Sequence, residues 1–221
     1  MPPKVIHIIY TTLEPLEQPK RCWEALNPSW TIKLYDFPTA ETFLKETYGQ
    51  LYADIFNYIP DGPIKADFWR VCILYTYGGL YVDADIEPLV SLDEFLEPKV
   101  SFATCLSYCK PYNPHFIFAE AGEPLLKRCM DIYVDYYTRK EPYSYWGWSI
   151  VTIFTIPHFT KKTESGIYLW NGQKIQLLKE LVGNDRYDMH CVYKKKRVLN
   201  NRFKNYDFTK HCFINATAPT L

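Results

Sequence analysis

The chain is 221 residues long with 48% hydrophobic residues, enough to build a sizeable core and too apolar for wholesale disorder. Lys+Arg and Asp+Glu both number 25, so the formal charge of zero supplies no global field to attract nucleic acid. No run approaches the ~18 apolar residues of a membrane span, no signal peptide opens the chain, and seven cysteines without paired spacing predict reduced thiols and a cytoplasmic protein.

The charge is unevenly spread. Residues 1–110 carry 9 basic and 15 acidic side chains, whereas residues 111–221 carry 16 and 10. An acidic and a basic surface meeting at a cleft would suit a cation together with a phosphate-bearing ligand. The 19 Tyr and 6 Trp serve either core packing or stacking on flat, hydroxylated ligands.

Strand and helix signals alternate without repeats or a Gly/Ser linker, predicting one α/β domain with a mixed, mostly parallel central sheet flanked by helices. Val5–Tyr10 is a β-rich run that reads as a buried central strand. A helix over Glu17–Leu26, a turn at Asn27-Pro28-Ser29 and a strand over Trp30–Tyr35 follow. Residues 39–58 read as helices, and Asp61-Gly62-Pro63 breaks the chain. From Ile64 to Tyr77 apolar residues recur at helical spacing, with Asp61 or Gly62 as cap, Pro63 in the first turn and Gly78-Gly79 as terminator. Leu80–Asp85, Val100–Leu106 and Phe116–Ala121 read as strands and Glu123–Tyr137 as a helix; Ser149–Ile156 is ambiguous. Lys174–Leu178, Met189–Tyr193 and His211–Asn215 are short strand candidates. The run Lys194-Lys195-Lys196-Arg197 is either a solvated face or a contact for phosphate or an anionic acceptor. Among the cysteines only Cys105 and Cys109 are near neighbours, and no second pair completes a zinc site.

The chemistry concentrates between Lys65 and Leu89, where a helix ends at two glycines and a short apolar strand delivers Asp83 and Asp85. In an extended chain residues i and i+2 point to one side about 6.5–7 Å apart, so both carboxylates can share one hard cation, Mg²⁺ or Mn²⁺. Such an ion stabilises the charge on a departing diphosphate. A bare Asp-x-Asp is also what two exposed loop acids look like. Asp67 and Arg70, at i and i+3 on an apolar helix, are neighbours that need mutual pairing or a polar ligand.

With that context the chain resembles the DXD-containing glycosyltransferases of GT-A fold, typified by initiating mannosyltransferases, capsular polysaccharide transferases and clostridial glucosylating toxins. The matching stretches are Pro3–Tyr10, Asn27–Trp30, Leu34–Asp36, Lys65–Arg70, Leu74–Asp85, Pro114–Ile117 and Gly122–Leu126, within roughly residues 3–157. The chain is also similar to the glycosyltransferase domains of chlorovirus capsid-glycosylating proteins, which would put it in a host cytoplasm. The resemblance implies a single catalytic domain with a nucleotide-sugar half, about 1–110, and an acceptor half, about 111–221. It implies a metal-dependent transfer from a nucleotide-diphosphate donor, a UDP-sugar, to a glycan or glycoprotein acceptor with retention of configuration. By position, Asp83 and Asp85 would hold metal and diphosphate, Asp67 and Arg70 ribose and sugar hydroxyls, and the backbone at Ile9, Tyr10 and Thr11 the base. A late His that contributes to metal or phosphate binding would be His211, with His190 as rival, although the Trp that usually follows is missing. Trp146 and Trp148, where the family has a Gly-Pro element, would stack on the acceptor or pack in the core. The last residues, Ala218-Pro219-Thr220-Leu221, do not read as a domain ending, so further domains of the same polypeptide are expected. Two rivals remain: an aspartate-nucleophile phosphatase, disfavoured by Glu87 and by the roughly 80 residues that precede the motif, and a non-catalytic carbohydrate-binding module.

Overall fold

The computed structural model describes residues 3–109, 112–154, 162–183, 188–207 and 212–213. Strand β1 (Val5–Ile9) is followed by helix α1 (Glu17–Leu26) and strand β2 (Thr31–Tyr35), then α2 (Phe37–Tyr48) and α3 (Gln50–Tyr58). Gly49, at φ +89°, separates the last two, dividing the helical region expected over residues 39–58. Next come α4 (Gly62–Tyr77), β3 (Gly79–Val82), β4 (Glu87–Pro88), α5 (Leu92–Phe95), β5 (Phe102–Leu106) and β6 (Asn113–Ala119). The second half adds α6 (Pro124–Thr138), α7 (Tyr145–Trp148), α8 (Ile150–Ile153), β7 (Gly166–Trp170), β8 (Gln173–Val182), β9 (Met189–Tyr193) and β10 (Lys196–Asn200). A small hairpin joins β11 (Tyr206–Asp207) to β12 (Cys212–Phe213). The rest of the expected His211–Asn215 strand lies outside the described residues.

The main sheet runs β2-β1-β3-β6-β5-β8-β9-β10-β4, with β7 paired to β8. Strands β1, β2, β3, β5, β8 and β10 point one way and the other four oppose them, which bears out a mixed sheet of mostly one direction. Side neighbours are parallel within β2-β1-β3 and between β5 and β8, and antiparallel elsewhere. Alternation along the central strands feeds two cores. Ile6, Ile8, Leu80 and Val82 face one core with Trp23 and Trp30. Ile9 and Tyr81 face the other, built with Phe56, Phe68, Trp69 and Tyr133.

Helix α4 is buried on nearly every side, from Ile64 through Leu74, because the sheet and the other helices of the larger core enclose it. Its end is set by two glycines. A Cβ on Gly78 would sit 2.8 Å from Ala121 N, and one on Gly79 2.6 Å from the Val5 carbonyl; both residues have positive φ. The chain can therefore turn directly from α4 into the middle of the sheet.

One expectation changes and two open ones resolve. The strand expected over Leu80–Asp85 ends at Val82, because Asp83 N–H makes the last ladder bond, to His115 O at 2.9 Å. Asp83 through Ile86 then form a turn closed by Ile86 N–H to Asp83 O at 3.1 Å, so the two carboxylates converge on a turn rather than along an extended strand. The ambiguous stretch from Ser149 is a helical turn as far as it is described, α8 with Ser149 as its N-cap. The basic run 194–197 forms a hairpin between β9 and β10, with Lys194 and Lys195 at φ +48° and +66°. Lys194 pairs with Glu97, Lys196 with Glu94 and Arg197 with Asp188, all as a solvated face.

Candidate active site

A cleft of about 270 Å³ opens where the C-terminal ends of β1 and β3 meet the start of α4, the location at which α/β sheets bind ligands. Asp67, Arg70, Asp83 and Asp85 all line it, as does Trp146. Register continued from His7 opposite Tyr81 brings Ile9 level with Asp83. Ile9 is buried, Tyr10 donates its N–H to Tyr35 O at 3.1 Å, and Thr11 is exposed beside the Gly62 turn. These three therefore flank the cleft at the same sheet edge without forming its wall.

The wall is organised around Arg70. Its guanidinium donates to Asp67 Oδ1 at 2.7 Å, Asp83 Oδ1 at 3.0 Å and the Pro114 carbonyl at 2.7 Å, and its carbon lies 4.3 Å from the Tyr81 ring centre. Burial opposes the Arg70 charge, but Asp83, Tyr81 and Asp67 outweigh it and hold the guanidinium protonated. Asp67 uses its other oxygen to accept Ile150 N–H at 2.9 Å, tying α4 to the start of α8. Burial pushes Asp67 up to about 6 against the pull of Arg70 and that N–H. The Trp146–Ser149 stretch, where the family's Gly-Pro element was sought, thus leads into the backbone that anchors Asp67.

Asp83 accepts the Tyr81 hydroxyl at 2.7 Å on the same oxygen that meets Arg70. Asp85 has no side-chain donor among the described residues, and burial and then the charge of Asp83 push its carboxyl up to about 7. Two acids on one turn, the second raised by burial and by its neighbour's charge against the pull of His115 and Arg70, are a donor set that a hard divalent cation would satisfy. Mg²⁺ or Mn²⁺ fits these oxygens, because a cation would offset both the burial of Asp85 and the like charge of Asp83.

The tryptophans separate. Trp146 is 64% exposed at the cleft, with Tyr145 edge-on at 5.2 Å. Trp148 is 1% exposed among Tyr58, Tyr133, Tyr136 and Tyr143, and its indole N–H donates to Pro142 O. Its faces are already covered, which corrects the expectation that it stacks on an acceptor. His190 sits on β9 between Met189, which lines the cleft, and Cys191, so strand alternation turns it to the other side. His211 lies outside the described residues.

The structure also brings to this cleft His115, Asn113 and Asn201, to which spacing gave no role. His115 lies in the Pro114–Ile117 stretch already matched to the family, but its neighbours come from distant strands. Its Nε2 is 3.2 Å from Cys191 Sγ, which is 3.3 Å from Cys105 Sγ.

Residues 17–102 match the family described as a glycosyltransferase sugar-binding region containing a DXD motif. The chain is 33% identical over 104 residues to a mannosyl phosphorylinositol ceramide synthase of Saccharomyces cerevisiae, covering 42% of this chain and 27% of that one. It is 29% identical over 79 residues to the initiation-specific alpha-1,6-mannosyltransferase of Candida albicans, covering 35% and 20%. The matches therefore span about a quarter or less of those relatives' lengths. Among solved structures, the PaToxG glycosyltransferase aligns over 71% of this chain and 69% of its own, with a TM-score of 0.55 at 16% identity, a likeness of fold. Among the described residues no helix is long and apolar enough to cross a membrane.

Proposed function

We propose that this chain, a DXD-containing glycosyltransferase of GT-A fold, moves a sugar from a nucleotide-diphosphate donor, UDP-linked, to a glycan or glycoprotein acceptor. The observation that carries the reading is the linked set Asp67–Arg70–Asp83 beside Asp85 on one cleft wall. A bound Mg²⁺ or Mn²⁺ would supply Lewis-acid stabilisation of the diphosphate leaving group. Asp83 and Asp85 would hold that ion, with Arg70 fixing the Asp83 carboxylate so that no reorganisation is needed during reaction.

Asp67 and Arg70 present the polar floor on which ribose and sugar hydroxyls would orient, and the Ile9–Thr11 backbone would frame the base. Trp146 offers an exposed face for the acceptor sugar. Transfer with retention is part of this reading: the acceptor oxygen bonds to the anomeric carbon on the face from which the diphosphate departs, and the departing phosphate takes the acceptor proton. The phosphatase alternative needs a first aspartate free to attack, whereas Asp83 Oδ1 is held by Arg70 and Tyr81. The cleft draws lining residues from both halves of the chain, which supports a donor half near 1–110 and an acceptor half near 111–221.

The test is UDP release from a panel of UDP-sugars with Mn²⁺, alongside calorimetric titration of UDP–Mn²⁺ into wild type and Asp85→Ala. Slow donor hydrolysis, and binding lost in the variant while its far-UV circular dichroism is kept, are expected. Wild-type affinity in Asp85→Ala, or release of inorganic phosphate instead of UDP, would contradict the reading.

A further inference from the structure

Cys105, His115 and Cys191 come from β5, β6 and β9, and their ligand atoms all lie within 4.8 Å of one another with every side chain buried. Four features of the surroundings bear on their use. First, β5 and β6 lose register after Thr104: Thr104 faces Ile117, and the next residue, Cys105, faces Asn113. That irregularity leaves His115 without a β5 partner while its other edge still bonds to Asp83 at the end of β3, as bulges beside functional sites do. Second, β8 separates β5 from β9, so the two cysteines come from strands that are not neighbours, and their sulfurs stand 3.3 Å apart as free thiols. A disulfide bond would hold the sulfurs at about 2.05 Å. The two sulfurs and the His115 imidazole instead form one compact group of ligand atoms.

Third, the separations of 3.3 Å between sulfurs and 3.2 Å from imidazole to sulfur sit near those of a tetrahedral zinc site. Bond lengths of about 2.3 Å to sulfur and 2.1 Å to nitrogen put such ligands about 3.6–3.8 Å apart. Small side-chain rotations close the difference. Fourth, the surroundings hold Asn201 in a fixed sense. Its amide nitrogen donates to Glu180 Oε1, leaving Oδ1 toward Cys191 Sγ at 3.4 Å. Glu180 also accepts Asn113 Nδ2 at 2.8 Å, Ser107 Oγ at 3.1 Å and Tyr108 N at 3.2 Å, which fills its four acceptor positions. Glu180 is thus a supporting carboxylate rather than a ligand.

We infer that Cys105, His115 and Cys191 bind a soft divalent metal of the zinc class, a second ion site separate from the Asp83–Asp85 turn, with Asn201 Oδ1 or water in the fourth position. Two thiolates and an imidazole select zinc over Mg²⁺ or Mn²⁺, which the oxygen set of the turn prefers. Binding releases the thiol protons to solvent and joins three strands of the cleft wall. It also fixes the backbone of His115, whose carbonyl accepts the N–H of Asp83. The inference does not rest on the transferase reading, since a protein with no sugar-transfer activity could hold this ion.

The experiment uses the whole chain. Wild-type protein is dialysed extensively against zinc-free buffer containing Mg²⁺, its metal content measured, and the retained ion replaced by Co²⁺. One zinc per chain and an intense thiolate-to-cobalt absorption in the near ultraviolet are expected, retained in Asp83→Asn/Asp85→Asn and lost in Cys105→Ser/Cys191→Ser. Carboxylate-bound cobalt gives no such band, so the two ion sites are read separately. The wild-type measurement alone suffices if the serine variant fails to fold. Wild-type protein with neither retained metal nor the band, a band that vanishes with the aspartates instead, or a Cys105–Cys191 disulfide found by mass mapping would overturn the inference.

Discussion

Arg70→Met tests whether the cleft wall is held by charge. Methionine roughly matches the arginine stem in length but leaves Asp67 and Asp83 facing a thioether where two contacts of 2.7 and 3.0 Å were. Removing one partner of a buried ion pair costs about 3–5 kcal/mol, because the remaining charge is stranded. At 2–4 °C per kcal/mol for a chain of this size, the melting temperature should fall by about 6–20 °C. Without Arg70 the Asp67 carboxyl, already pushed up to about 6, rises further. The variant's native state then takes up a proton that its unfolded state does not hold above about pH 4, so its stability rises as pH falls. Urea titrations at pH 8 and pH 5 should therefore show the gap to wild type shrinking toward the lower pH. In Asp67→Asn/Arg70→Met the combined loss should be smaller than the sum of the single losses. A variant within 1 kcal/mol of wild type at pH 8, or a gap that widens on acidification, would refute the electrostatic account.

His7 supplies a second pH test. It is buried, with Nε2–H donating to Gly78 O and Nδ1 accepting from the Tyr35 hydroxyl, and burial lowers its pKa from 6.5 to about 4. The unfolded state protonates first, so stability should be lost as pH falls from 6.5 to 4, by about 3 kcal/mol in total. Comparing urea midpoints of wild type and His7→Gln isolates this share; parallel pH curves would count against it. Gly79→Ala should cost about 2–4 kcal/mol, combining positive φ with the Val5 carbonyl contact, whereas Gly49→Ala, with nothing within 4 Å, should cost about 1–2 kcal/mol. Equal melting shifts for the two would remove the steric half of that explanation. Trp148→Ala should lose about 3–5 kcal/mol and Trp146→Ala less than about 0.5 kcal/mol, with only the latter raising the acceptor KM at unchanged melting temperature. Reversal of that order would mean that exposure at the cleft does not mark acceptor contact.

Local chemistry made much of the architecture legible. The β-rich run at β1, the Pro63-led helix α4 and its glycine terminator are each fixed by neighbouring residues, and their ends agree with the expected ones to within a few residues. Other local signals were available but unread: Asn171-Gly172, at φ +49° and +80°, is the two-residue hairpin turn that joins β7 to β8. The halving of the 39–58 region at Gly49 is of the same kind.

The sequence by itself determined that two acids would follow a glycine-terminated helix, with an ionic pair about two to three turns ahead of that terminator, since i, i+2 and i, i+3 spacings are properties of the chain. Only the tertiary structure decided that Arg70 bridges Asp67 to Asp83, that Trp148 is walled in while Trp146 is not, and that Cys105 meets Cys191 across 86 residues. Those outcomes depend on how far the sheet curls and which strands adjoin. Strand order is set by the summed burial of two cores, to which no single stretch of residues holds the key.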